Sequence, residues 1–428
     1  MSEIIADTPD SSPTDRIRTG ISEKKRSKRE ISGKNAAARN RRFGLLSRGL
    51  TPVAKSSWAA LAVAVILIAV MLAVPIPFNN ESTYNTTTLF YIRGTVSEVT
   101  DESEMTVSEF SGQKSGEQVL QVKLSDGRTV EVNNTLSDTH NIYVEKGDRV
   151  IVCADEPENA EPYYTLFNYD RSVSIALILL FFGVLMILIG GVKGLFSLTA
   201  LAFSVVMLFR FTIPAIYGGV PAIGAALLSA LAITALSVSL FTGFTRKSLT
   251  SGTVTIIGEL IAVALFALFS HVLHFSGFVD ENVDSLLVVS STTGMDLKHM
   301  LYAAAIIASL GAVMDVAVSL VAAIWEIYEQ NPDLSARELF VSGMTVGRDM
   351  MGTMSNTLIL AFAGTALSMI LVLYSYGVQT AQLLNSDYFA IELSHGLCGT
   401  MAVIITVPVA SAASAIMLTR LSGKKISG

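Results

Sequence analysis

Charge is scarce in this chain. Only 15% of its 428 residues are Asp, Glu, Lys or Arg, against 51% hydrophobic, and the mean hydropathy of +0.53 excludes an ordinary soluble domain, in which about 25% of residues are charged. Cysteine is nearly absent. Cys153 lies in a polar stretch and Cys398 in an apolar run, which leaves neither a disulfide framework nor a zinc spacing. His271, His274, His299 and His395 have no Cys or acidic partner at metal spacing within one helix, so no metal and no cofactor is expected. Also missing are a phosphate-binding Walker pattern, HExxH and GxSxG, which argues against a self-powered pump, a zincin and a standard serine hydrolase. No enzymatic activity is expected on that basis.

What the chain has in abundance is long apolar runs. Trp58 to Ile76, Ser172 to Gly190, Gly194 to Ile213, Val220 to Thr242, Gly252 to Leu273, Ala303 to Ile327, Thr357 to Tyr376 and Leu393 to Leu418 each approach or exceed the ~20 residues that cross a bilayer. The first is read as an uncleaved anchor, because the basic stretch before it is too long for a signal peptide and Val74-Pro75-Ile76-Pro77 offers no small-residue cleavage site. Lys193, Arg246-Lys247, Arg337, Arg348 and the terminal Arg420, Lys424 and Lys425 fall on one side of the alternating spans, and Asp280, Glu281, Asp284 and Asp387 on the other. The positive-inside rule then predicts an α-helical polytopic membrane protein of eight spans with both termini cytoplasmic. Residues 1–56 form a basic cytoplasmic tail suited to anionic lipid and expected to be disordered, 57–78 the anchor, 171–420 a seven-span membrane domain and 421–428 a second tail.

Residues 79–170 differ in texture. Asn79 to Arg171 holds 7 Lys and Arg against 17 Asp and Glu, whereas Met1 to Ser57 holds 13 against 6. Alternating runs at Leu89 to Val99, Gln118 to Leu124, Arg128 to Val132, Arg149 to Cys153 and Tyr163 to Asn168 predict strands, with a hairpin turn at Asp126-Gly127. Five strands suggest a small extracytoplasmic β domain, an OB-like barrel. Its acidity argues against a nucleic-acid partner.

Two carboxylates fall inside apolar runs. Asp315 lies mid-run on a stripe of small and polar residues, Ala308, Gly311, Ser319, Ala322 and Glu326, which is expected to face the bundle interior. Glu259 shares a face with Thr255, Ala262 and Phe266. An ionisable residue at membrane depth is a functional-site candidate, able to exchange a proton or a sodium ion. After Asn331-Pro332 the pattern Ser335-Ala336-Arg337-Glu338 reads as a capping box opening a short helix. Arg348-Asp349 then precedes a polar run, Gly352 to Thr357, read as a helix start whose free N–H groups could hold an anion or as a close helix interface. Gly252-Thr253 and Gly352-Thr353, each expected to open a span, hint at a repeat.

Met314-Asp315-Val316-Ala317, Trp325-Glu326, Ser342-Gly343, Gly347-Arg348-Asp349-Met350-Met351-Gly352-Thr353-Met354 and Asn356-Thr357-Leu358 resemble the signature of the YibE/F-like bacterial integral membrane proteins, over roughly residues 171–420. The resemblance implies a multispanning membrane domain and, as a common guess for the family, transport. The expected function is an ion-gradient-driven permease or exporter of an unidentified small solute in the cytoplasmic membrane. Asp315 leads the ion-coupling or substrate-binding candidates, followed by Glu259, Glu326, Ser319, Arg348, Asp349 and Asn356. Expected partners are the bilayer, the coupling ion and the solute, with self-association left open. A membrane partner or sensor using the outer domain, and a membrane-embedded enzyme, are the alternatives.

Overall fold

The computed structural model describes residues 55–75, 88–102, 105–107, 112–157, 160–277 and 283–421. Most of the two expected tails, the end of the anchor at 76–78, Asp280, Glu281 and the side chain of Asp284 lie outside the described residues.

Alternation makes the barrel. Six strands, β1 (Leu89–Asp101), β2 (Thr106–Val107), β3 (Lys114–Leu124), β4 (Thr129–Leu136), β5 (Arg149–Asp155) and β6 (Tyr163–Tyr169), appear where the β-branched and aromatic runs lie. Their order, β1-β5-β6-β4-β3, closes through a β1–β3 pairing into a five-stranded barrel, with β2 added only to β3. Along β3 every second side chain from Gln118 to Leu124 is buried, and Leu120 and Val122 meet Val96, Val132, Val150 and Val152 in the core. The β3–β4 turn is the expected one: Gly127 takes φ 94°, a left-handed value open to glycine. Gln118 and Asn134 are paired in register and fully buried. Asn134 Nδ2 donates to Gln118 Oε1 at 2.9 Å and to the Ile142 carbonyl at 2.8 Å, so this polar pair holds the irregular segment before β5 onto the barrel. At the barrel's exit the Arg93 guanidinium donates to Ser172 Oγ at 3.3 Å and sits 3.7 Å from Asp170, which joins β1 to the first residue of the next helix.

The remainder is helical: α1 (Lys55–Ala73), α2 (Ser172–Met207), α3 (Ile213–Tyr217), α4 (Ala222–Thr242), α5 (Arg246–Val272), α6 (Val283–Thr293), α7 (Leu297–Gln330), α8 (Ala336–Thr365), α9 (Leu367–Ser375), α10 (Thr380–Leu384) and α11 (Asp387–Leu421). Among the described residues, six helical stretches are long and apolar enough to cross a membrane, or seven if α8 and α9, which meet at a 54° bend, form one span.

The longest stretch, Ser172–Tyr217, folds back on itself. Gly191 has φ 56° and ψ −135° inside α2, and a Cβ on Gly183 would lie 3.3 Å from Leu198 Cδ2. In a straight helix those positions would be about 22 Å apart, at about 1.5 Å per residue. The second limb runs parallel to α1. Trp58 packs edge-on against Phe196 with ring centroids 5.6 Å apart, and Arg210 donates to the carbonyls of Met71, Leu72 and Val74, satisfying the free C-terminal acceptors of α1. Both ends of the barrel insertion therefore leave the helices on the same side.

In the main bundle α11 packs against α8, α7 and α5, and α7 in turn against α5 and α4. Small residues set the spacing. A Cβ at Gly343 would come within 2.7 Å of both Ile324 Cδ1 and Ser411 Oγ, and one at Gly347 would overlap Val407, so α8 lies antiparallel to α7 with backbone nearly in contact with α11.

Candidate functional site

Local sequence places the central helices firmly. Thr245 and Ser248 form a reciprocal capping box at the start of α5, and Ser335 and Glu338 form the expected one at the start of α8. Within α5, a Cβ at Gly258 would overlap Val313 of α7 and lie 2.6 Å from Thr406 Oγ1 of α11. Three helices thus converge at the residue before Glu259.

That convergence buries Glu259, whose accessibility is 3%. Thr255, Ala262 and Phe266, the face expected to turn inward with it, are fully buried. Ser309 Oγ of α7 lies 3.1 Å from Glu259 Oε2 and 2.8 Å from the Ala305 carbonyl, while Glu259 Oε1 has no protein partner. The Ser309 hydroxyl has a single proton. When Glu259 is ionised that proton is donated to the carboxylate. When Glu259 is protonated its own O–H donates to Ser309, whose proton turns to the Ala305 carbonyl. One rotating hydroxyl therefore serves both states, so the site accommodates proton uptake and release without repacking.

One helical turn beyond Glu259 on α5, the Ala262 carbonyl accepts from the Cys398 thiol of α11 at 2.8 Å. A further turn brings His395, which stacks on Phe266 at 5.0 Å with the rings 13° from parallel and approaches the Leu301 carbonyl at 3.4 Å through Nε2. His395 also lines a cavity of about 460 Å³ between α7, α8 and α11, with Ala304, Ala308, Phe362, Thr365 and Glu392 among its other walls. Glu392 was overlooked in the sequence because it directly precedes an apolar run and reads as a flank. The available signal is its i, i+3 spacing to His395, which puts both on one helix face and corrects the expectation that His395 has no acidic partner within its own helix. Arg210 and Ser309 were overlooked for a similar reason, as lone polar residues within apolar runs.

The expected stripe on α7 exists but faces the other way. Gly311, Asp315, Ser319 and Glu326 are all exposed, while Val313, Val316, Ala317 and Leu320 carry the packing. Periodicity fixed the membership of the stripe, but the apolar face beside it fits against α4, α5 and α11. Glu326 accepts from Gln330 at 3.3 Å at the end of α7 and, with Glu329, acts electrostatically on Lys247 at the start of α5.

The expected loop and helix start around Arg348 are likewise absent. Residues Ala336–Thr365 form one helix, so Arg348, Asp349 and Asn356 are mid-helix and exposed. Their backbone N–H groups are spent within the helix, and the anion site expected there falls. Within the chain, the close interface expected for the same run fails at Gly352, where a Cβ would meet nothing within 4 Å; the tight approach on α8 lies earlier, at Gly343 and Gly347. Gly252 is the seventh residue of α5 and Gly352 the seventeenth of α8, so the two dipeptides occupy unlike positions and open no helix. Among the described residues no group of three or more His, Cys, Asp or Glu gathers in a metal-binding arrangement.

The family model described as YibE/F-like protein matches residues 177–420, which takes in every residue of the Glu259 site and the cavity. The chain belongs to the YibE/F-like family. No curated protein and no solved structure matches it. In this YibE/F-like chain the matched region begins within the first limb of α2 and ends at the last turn of α11, so the barrel and α1 lie outside it.

Proposed function

We propose that this membrane protein is an ion-gradient-driven permease or exporter of a small solute, with Glu259 as the group that takes up and releases the coupling ion. The observation that carries the reading is the Glu259 site: a carboxyl buried where three helices converge, bonded through one oxygen to a hydroxyl able to serve either protonation state. A buried acid with an unpartnered oxygen costs about 1–3 kcal/mol, a cost that a purely structural position has no reason to carry. The exposed Asp315 takes a secondary role, on the same α7 stripe as Ala308 in the cavity wall.

With the fold-back at Gly191 counted as two crossings and the bent α8–α9 pair as one, the chain crosses the bilayer eight times. The Lys- and Arg-bearing connections then lie on the cytoplasmic side with both termini, and the barrel lies outside, in an OB-like arrangement with one parallel pair, β4–β6. The test is flux in proteoliposomes with imposed proton or sodium gradients across a panel of small solutes. Glu259→Gln should abolish gradient-driven flux while leaving insertion intact. Full flux in that variant would refute the coupling role.

A further inference from the structure

We propose that copies of this chain associate through α7 of one and α8 of the next, with Asp315 seated on Gly352 between Arg348 and Asn356. The inference goes beyond the permease reading and does not depend on it. Asp315 on α7 and Arg348 and Asn356 on α8 are exposed, and among the described residues none of these side chains has a hydrogen bond or ion pair. Asp315 and Arg348 each lie about 18 Å or more from either end of their helices, at about 1.5 Å per residue. A charge left against lipid at that depth is costly, so such groups are as a rule paired or enclosed. Each of the two lacks what the other supplies.

Contacts inside one copy fix the depth of each residue. A Cβ on Gly343 would meet Ile324 and one on Gly347 would meet Leu320, so the two antiparallel helices hold one register. Moving away from Ala336, each step is one residue higher on α8 and one lower on α7. Equal steps from those contacts put Ser319 level with Arg348, Asp315 with Gly352 and Gly311 with Asn356. Copies in one bilayer share these depths, so at every level a small residue on one helix meets a larger polar one on the other. Inside the chain a Cβ on Gly311 or Gly352 would meet nothing within 4 Å, which leaves both open to a neighbour's side chain, as small residues are at close helix contacts in membranes. Arg348, Gly352 and Asn356 follow at four-residue spacing and share a face. A carboxylate over Gly352 then has a guanidinium about 6 Å along the helix on one side and an amide at the same distance on the other, a charged donor and a neutral one. Asp349, about 60° round the helix from Gly352, borders this face without lying opposite Asp315. A second copy supplies both halves of the contact, made twice in a two-fold dimer or once per neighbour in a ring.

The test uses the full chain fused at its C-terminus to a donor or an acceptor fluorescent protein and reconstituted in phosphatidylcholine liposomes, with energy transfer followed as the lipid-to-protein ratio is varied. Each variant is first shown to elute as a single folded species. We expect transfer in the parent that saturates with protein density and falls when unlabelled parent is added. Asp315→Asn should weaken association at least about tenfold, as loss of one partner of a desolvated charge pair does, and Gly352→Leu should abolish it by filling the seat. Asp349→Asn should leave it unchanged. Asp315→Arg and Arg348→Asp should each fail to associate alone, whereas the two mixed should associate with each other, because each copy then meets an opposite charge at both contacts. Where charge reversal prevents folding, Asp315→Asn and Gly352→Leu decide. Transfer in the parent no greater than random proximity gives, association unchanged in both Asp315→Asn and Gly352→Leu, or mixed charge-reversed copies that associate no better than either alone would overturn the proposal. Flux indifferent to Glu259→Gln would remove the coupling role and leave this interface standing.

Discussion

Replacing Glu259 by leucine should make the protein more stable while stopping the proposed gradient-driven flux. The wild-type carboxyl is 3% accessible, gains one hydrogen bond from Ser309 and leaves Oε1 unpartnered. An unsatisfied buried polar group costs about 1–3 kcal/mol. The bond that leucine forfeits is worth on average about 0.6 kcal/mol between membrane helices, and Ser309 keeps its Ala305 acceptor at 2.8 Å. The net expectation is a gain of about 1–2 kcal/mol, a factor of roughly ten in the unfolding equilibrium. Glu259→Gln keeps an acceptor for Ser309 but places amide donors where Oε1 had no partner, so it should be neutral or slightly destabilised. The assay is reversible unfolding in mixed dodecyl maltoside and dodecyl sulfate micelles, followed by the fluorescence of Trp325, which packs against the core. Gradient-driven flux is measured on the same preparations. A loss of more than about 3 kcal/mol in Glu259→Leu would mean that the acid is a fully bonded structural group, and the reasoning from its orphan oxygen would be wrong.

Glycines on α8 should divide by position: Gly347→Leu, which would overlap Val407 and press on Leu320, should cost about 1–3 kcal/mol in the same unfolding assay. Gly352→Ala, with nothing within 4 Å of its Cβ, should be neutral or gain up to about 1 kcal/mol from helix propensity; equal effects would refute the packing of α8. In the barrel, the backbone N–H and guanidinium of Arg128 hold the Asp126 carboxyl below the usual range, and the guanidinium and Tyr164 do the same for Glu156. Carboxyls depressed on folding lend stability that is present above their unfolded values near about pH 4 and is lost as pH falls through the folded ones. Protection against hydrogen exchange at the β3–β4 turn, corrected for the slower intrinsic exchange in acid, should therefore fall on acidification from pH 6 to below about pH 4, less so in Arg128→Met, and an identical acid response in both would contradict the pairing. For topology, with Cys153 and Cys398 removed, a membrane-impermeant thiol reagent on intact cells should label Ser125→Cys in the barrel and spare Ser248→Cys at the start of α5. The opposite pattern would invert the scheme.

Local features of the fold are legible in the sequence. Alternation and the Asp126-Gly127 turn specified the barrel strands to within a few residues, since each strand signal is carried by its own side chains. Ser335 and Glu338 announced a helix start because both halves of the capping box lie within one turn. Helical spacing also identified the two stripes around Asp315 and Glu259 correctly as stripes. Which stripe is buried was decided only by tertiary structure: periodicity says which side chains share a face, whereas burial depends on a second helix offering complementary small residues, as Gly258 and Gly399 do at the Glu259 level. In an apolar helix this ambiguity is acute, because lipid accepts a hydrophobic face as readily as protein does. In sequence, the polar run from Arg348 to Asn356 reads as a break for the complementary reason. Polarity usually ends a membrane segment, but here contacts at Gly343 and Gly347 hold α8 helical straight through it. The cavity beside Glu392 lay furthest from the sequence, since it is made of space left between three helices that are distant in the chain.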